Sequence, residues 1–230
     1  MQASLAAKDL ACRRGDRVLF TGLDLSLASG GAVHVTGPNG IGKSSLIRLL
    51  AGLSHPFAGE VTRHGAVGLV DERPALDPDL PLGAALAFWR RVDGCVTGTR
   101  SAEAMEIAEL SDVPVRYLST GQRKRAAFAR LLDQSAHVWL LDEPLNGLDG
   151  AARELIEALV SKHRENGGVC VVASHQPMEL PGCETLELTR YAESPSLKGG
   201  ARGGCTAPPQ PPSPPPPPPP PRPPPQGGGA

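Results

Sequence analysis

Residues 37–45 read GPNGIGKSS, with the apolar run AVHVT before them and LIRLLAGL after. No other stretch constrains the fold as tightly. Three glycines, a lysine and a serine fit G-x-x-x-x-G-K-[ST], a pattern that carries meaning where a buried strand ends and a helix begins. AVHVT has the character of a core strand, and the run after the loop has helical spacing. In that setting the loop amides converge at a helix N-terminus, where phosphate binds. Gly37, Pro38, Asn39, Gly40, Ile41, Gly42, Lys43, Ser44 and Ser45 are therefore expected to wrap the β- and γ-phosphates of ATP or GTP. Lys43 brings a point charge to the phosphate oxygens, and the Ser44 hydroxyl takes one position on Mg²⁺.

The chain beyond the loop alternates strands and helices. Residues 66–71, 137–144 and 168–175 are short apolar runs, and residues 150–167 between the last two have helical periodicity. Such alternation implies a parallel sheet covered on both faces, an α/β core. Residues 17–31 alternate with period two, as a half-exposed antiparallel strand pair does. Residues 82–133 read as purely helical. Sixteen of the 25 prolines lie at or after Pro195. This sets an ordered domain at 1–192 apart from a disordered Gly/Pro-rich tail at 193–230, whose proline run favours polyproline II.

The run VWLLDEP ends a strand on two acids. Asp142 is placed to hold Mg²⁺, leaving Glu143 to orient and deprotonate an attacking water. His175 ends the run GVCVVASH at the carboxyl edge of the sheet, where ligands of open α/β folds collect, and is read as a γ-phosphate contact. Asp149 is read as the cap of the helix that follows, with a bridge to a neighbouring subunit as a second role. A second glycine loop, LSTGQ at 118–122, also opens a helix. Ser119 is a good N-cap, Gly121 admits close backbone approach, and the helix dipole favours an anion there. Arg123, Lys124 and Arg125 behind it read as a solvated helix face.

In this order and spacing, GPNGIGKS, LSTGQ, LLDEP, GLD and SH resemble the ATP-binding cassette of ABC transporters, over residues 4 to about 190. The resemblance implies a P-loop NTPase fold with a RecA-like parallel sheet, an N-terminal antiparallel β portion and a short helical subdomain near 80–133. It also implies that two cassettes dock head to tail, so that Ser119, Gly121 and Gln122 close over the ATP of a second copy. The phrases between the motifs are similar to the haem-exporter ATP-binding subunits of bacterial cytochrome c maturation. That similarity implies integral membrane permease subunits as partners, a peripheral place on the cytoplasmic face of the inner membrane, and haem export or release to a periplasmic chaperone. Another ABC exporter is the alternative. In three places the chain departs from the family pattern. Arg14 stands where an aromatic usually stacks on adenine, and it is read as that stack or as a plain surface arginine. Glu72 stands at the Gln that links magnesium to the helical subdomain, where it too can ligate Mg²⁺ while adding a negative charge near the γ-phosphate. Thr120 replaces a glycine.

Composition excludes other classes. Lys plus Arg (23) and Asp plus Glu (24) leave a net charge of −1, so no whole-chain field draws nucleic acid. Five scattered cysteines without a C-x-x-C pair argue against a disulfide framework or zinc. No apolar run reaches the ~20 residues of a membrane helix. Direct haem binding by this chain is not expected, since it has no C-x-x-C-H. A soluble cassette protein acting on ribosomes would carry two sets of motifs, and one is present.

Overall fold

The computed structural model describes residues 2–94 and 100–192. The expected tail at 193–230 lies outside the described residues. The chain opens with β1 (Ser4–Arg14) and β2 (Arg17–Leu27), then β3 (Ala32–Thr36), α1 (Lys43–Ala51), β4 (Ala58–His64) and β5 (Val67–Val70). Next come α2 (Leu82–Val92), α3 (Arg100–Ala104), α4 (Thr120–Asp133), β6 (Val138–Asp142), α5 (Gly150–Glu165), β7 (Val169–Ala173) and β8 (Glu184–Glu187).

The strands form two sheets. A three-stranded antiparallel sheet has the order β2-β1-β4, and a five-stranded parallel sheet has the order β5-β6-β7-β3-β8. The α/β class expected from the alternating pattern is what forms. Both faces of the parallel sheet are buried, as the near-continuous apolar runs require. Val138, Leu140, Val169 and Val171 point to one core, with Leu46, Ile47, Leu49 and Leu50 of α1 and with Leu10, Phe20 and Leu23 of the antiparallel sheet. Trp139, Leu141, Cys170 and Val172 point to the other, with Phe128 and Leu131 of α4 and Ile156 and Val160 of α5. Each large side chain so buried contributes roughly 1.5–3 kcal/mol. The first core clamps α1 between the two sheets, which fixes the loop at its N-terminus. At its other end, Arg63 of β4 donates through Nη2 to the Leu49 carbonyl at 2.7 Å and through Nε to that of Leu50. The Leu49 carbonyl also accepts from the Gly52 N–H at 3.0 Å, and the guanidinium sets a cation at the negative end of the helix.

Two expectations change. Residues 17–31 do not pair with themselves: they supply one strand, β2, whose partner is β1. The chain reverses at the Gly15–Asp16 turn, ahead of the period-two stretch. Nor is 82–133 purely helical. Between α3 and α4 lie two short 3₁₀ turns, Ala108–Leu110 and Val115–Tyr117, and Pro114 forms a bridge with Pro81.

Candidate functional site

The sheet register builds the site. Val35 of β3 and Asp142 of β6 both lie opposite Ala173 of β7, which runs between them. The three strands therefore end level, and the next residues (the loop after Thr36, Glu143, Ser174 and His175) emerge in one row. This is the carboxyl edge of a parallel sheet, where such folds collect ligands.

On β3, the loop turns through Gly37, Gly40 and Gly42, all at positive φ. A side chain on Gly42 would press on Leu19 and Phe20 of β2, whereas one on Gly40 would point into open space. The loop is thus packed on its inner side and open outward. Lys43 is buried, and its Nζ donates to the Gly37 carbonyl at 2.8 Å and stands 4.0 Å from Glu143 Oε1. The cleft above is lined by Asn39, Gly40, Gly42, Lys43, Ser44 and Ser45 of the loop, with Arg14, Arg17, Leu19, Glu72 and Glu143 around it.

Asp142 and Glu143 differ sharply. Burial pushes the Asp142 carboxyl up, the Ser44 side chain opposes this, and the charges of Glu143, Glu72 and Asp71 add to the rise. Among the described residues its Oδ1 is buried with no hydrogen-bond partner. An orphaned hard oxygen beside a serine hydroxyl fits magnesium, which takes a few protein oxygens and completes its shell with phosphate and water. Glu72 stands exposed on the cleft wall and acts on Asp142 through its charge.

Glu143 is held from four sides. Its backbone lies at φ 46, a left-handed conformation that strains a non-glycine residue. Its N–H donates to the Ala173 carbonyl at 2.8 Å. Oε2 accepts from the Ser174 hydroxyl at 3.2 Å and lies 2.9 Å from His175 Nδ1. Ser174 in turn accepts from the Gln176 N–H at 3.0 Å. The fourth hold is a lysine: Lys124 Nζ donates to the Glu143 carbonyl at 3.1 Å.

Comparison with known proteins agrees with this geometry. The family described as ABC transporter matches residues 20–146. The cytochrome c biogenesis ATP-binding export protein CcmA of Novosphingobium aromaticivorans is 54% identical over 190 residues, 83% of this chain and 98% of that protein. The protein of the same name from Zymomonas mobilis is 47% identical over 199 residues, 86% of this chain and 90% of that one. The chain belongs to the ABC transporter family. Two solved structures share the fold. An ABC transporter ATP-binding protein from Pyrococcus furiosus has a TM-score of 0.71 at 21% identity, covering 82% of this chain and 99% of that one. An inward-facing metal-chelate type ABC transporter has a TM-score of 0.64 at 24% identity, covering 77% and 75%.

As an ABC cassette the chain binds ATP, and the sheet edge brings Lys43, Ser44, Asp142, Glu143 and His175 together, with Arg14 and Glu72 on the cleft wall. The signature residues lie elsewhere. Ser119, Gly121 and Gln122 are not among the residues lining the cleft. Ser119 caps α4: its hydroxyl accepts from the Gln122 N–H at 3.2 Å, and Gln122 Oε1 accepts from the Ser119 N–H at 2.8 Å, a reciprocal capping box. Asp149 caps α5, accepting from the Ala152 N–H at 2.9 Å.

One expectation fails at this helix. Of Arg123, Lys124 and Arg125, only Arg123 is exposed. Lys124 is 7% exposed, and Arg125 donates to the Glu106 carbonyl at 3.2 Å. The reason is helical period: 124, 127, 128 and 131 share one face, and Ala127, Phe128 and Leu131 of that face are buried. The spacing was available in the sequence, and the charge masked it. Ser174 also escaped notice, though a hydroxyl ending an all-apolar strand was the signal. Arg17, which joins Arg14 in the cleft, had none.

Proposed function

We propose that this chain is the ATP-hydrolysing, energy-coupling subunit of an exporter for cytochrome c biogenesis, with haem as the cargo that ATP turnover moves or releases. The observation that carries this is the convergence of Lys43, Asp142, Glu143 and His175 at one sheet edge, in a chain whose relatives are named as ATP-binding export proteins. In this reading the loop amides and Lys43 hold the β- and γ-phosphates, the ammonium exchanging its Gly37 carbonyl bond for a phosphate oxygen. Ser44 and Asp142 would hold magnesium, which would supply neutralisation of phosphate charge when bound. Glu143 takes a proton from the attacking water. His175 fixes one oxygen of that carboxylate and reaches toward the γ-phosphate with the other side of its ring. Hydrolysis needs this positioning and charge balance more than covalent chemistry.

Among the described residues no helix is long and apolar enough to cross a membrane. Membrane permease partners and pairing of cassettes follow in general from the family. The specific assembly proposed is two copies head to tail beneath integral membrane subunits, at the cytoplasmic face of the bacterial inner membrane. Ser119, Gly121 and Gln122 of each copy would close over the other's ATP. Supporting this are the absence of these residues from the chain's own cleft lining and the N-terminus of α4, which offers amides and a positive dipole end to phosphate.

The test separates binding from pairing. Glu143→Gln keeps the side-chain shape and removes the base, so ATP and magnesium should trap a dimer in sizing experiments. Adding Ser119→Arg sets a bulky side chain where the two copies meet and leaves residues 37–45 untouched. The double variant should bind ATP and stay monomeric. An ATP-dependent dimer of the double variant would exclude the cross-subunit role.

A further inference from the structure

The buried ammonium of Lys124 has no part in the scheme above. It projects from α4 and donates to the main-chain carbonyl of Glu143 at 3.1 Å. Burial lowers its pKa, and the charges of Asp142, Asp71, Glu72 and Glu143 oppose that fall. A buried cation is retained at a cost unless its bonds are worth more than its desolvation. Here the acceptor is the carbonyl of a residue strained at φ 46, so the bond falls where the backbone most needs holding.

A second contact joins the same two segments. The signature turn lies against the turn that follows Glu143. A side chain on Gly121 would meet the Gly147 carbonyl at 3.0 Å, and one on Gly147 would meet the Thr120 methyl at 2.8 Å. Gly147, at φ 77, favours glycine, a side chain on Gly121 would crowd the Gly147 carbonyl, and the Thr120 that replaces a signature glycine fills the space beside Gly147. The N-terminus of α4 and the segment carrying Glu143 are thus fastened twice, once by packing and once by the Lys124 hydrogen bond.

We propose that Lys124 is a positioning residue for ATP hydrolysis: by its hydrogen bond to the Glu143 carbonyl it registers the signature helix against the base. A nucleotide gripped by the N-terminus of α4 then bears on the geometry of the Glu143 that serves the chain's own nucleotide. Lys124 acts through the main chain of Glu143 and touches no substrate. The proposal rests on Glu143 being the base and on α4 meeting a second nucleotide, as proposed above.

Turnover is measured on the full chain assembled with its membrane subunits, and ATP binding on the full chain alone. Lys124→Met keeps the buried stem and removes the donor. Its kcat should fall about tenfold or more while the Kd for ATP stays within about twofold, the split that separates positioning from binding. Lys124→Gln keeps an N–H donor without the charge and should recover at least about threefold of that loss. Glu143→Gln, run beside them, should abolish turnover and keep ATP binding. Turnover of Lys124→Met within about twofold of wild type, with Glu143→Gln inactive, overturns the role of Lys124 and leaves that of Glu143 standing. So does a Lys124→Met variant that loses turnover only in step with ATP binding, or a Lys124→Gln variant no better than it. Turnover surviving in Glu143→Gln overturns the base assignment itself, and the proposal with it.

Discussion

His175 Nδ1 lies 2.9 Å from Glu143 Oε2, and the Ser174 hydroxyl reaches the same oxygen at 3.2 Å. One carboxylate oxygen is thereby committed to the protein. The other, Oε1, is turned toward Lys43 at 4.0 Å, and it is the one a water in the cleft can use. Ser174→Ala leaves Oε2 to His175 and should loosen the carboxylate. A hydrogen bond to a charged group is worth about 1.5 kcal/mol or more, so kcat should fall about tenfold. ATP affinity should hold, since Ser174 is not among the residues lining the cleft. Single-turnover hydrolysis by the assembled complex checks the first, and equilibrium titration with ATP the second. Ser174→Thr should restore activity by restoring the hydroxyl.

A stacked pair sets a pH dependence of stability. Trp139 and His163 lie ring on ring, with centroids 3.9 Å apart and planes 7° from parallel. Burial lowers the His163 pKa from its ordinary 6.5, backbone hydrogen bonds at Val169 and His137 oppose this, and the His137 charge adds to the lowering. His34 is lowered too, again chiefly by burial. For both, the unfolded chain binds the proton more readily than the folded one. Their contribution is therefore complete above the ordinary value and is lost as pH falls from there through the folded values. The urea midpoint should drop across that interval. His163→Phe keeps the stack and cannot be protonated, so it should flatten the drop by up to ~1.4 kcal/mol per pH unit, the limit for one proton. An unchanged slope would place the pH sensitivity elsewhere.

How far the sequence disclosed this molecule depends on where side chains report on their surroundings. The buried strands β6 and β7 were legible because every residue in them is apolar until the functional end. The loop at 37–45 was legible because its glycines and lysine have few other uses. β1 was not, since its register shifts after Ala7 and after Leu10, with Asp9 at φ 47 between. A bulged strand loses the period-two signal. β4 and β8 lie at sheet edges and are mostly exposed, so their polar sequences AGEVTRH and ETLE resemble loops. Lys124 shows the opposite failure: its residue type suggested solvent while its place on the helix specified burial. Three-dimensional convergence decided between the two.

Arg14 and Arg17 face each other across the β1–β2 hairpin, and both line the cleft. Either guanidinium can stack on a purine. Replacing the stacking one with Ala should weaken ATP by about 0.5–2 kcal/mol and leave kcat nearly unchanged. Inorganic tripolyphosphate separates stacking from charge. A lost stack weakens ATP alone, and a lost charge weakens both ligands alike. If neither variant alters ATP affinity, the base is held by other residues.

Asp142 gives the last prediction, because its charge is costly to the fold and useful only with a cation. Burial raises its carboxyl pKa, with Glu143, Glu72 and Asp71 adding to the rise and Ser44 opposing it. The folded chain thus binds this proton more tightly than the unfolded one. Above the folded value the ionised carboxylate therefore destabilises the structure, and the penalty fades as pH falls through that value. Asp142→Asn removes the charge, so in chelator at neutral pH the variant should melt higher. About 2–4 °C is expected, what ~1 kcal/mol is worth in a domain of this size. The gain should shrink on acidification. In magnesium the order of function reverses. Wild type should bind ATP more tightly with magnesium than with chelator, whereas Asp142→Asn, which keeps one carbonyl oxygen and loses the charge, should show little difference. A variant that melts lower in chelator would mean that what Ser44 contributes outweighs the desolvation. One that keeps the full magnesium effect would move the cation away from Asp142.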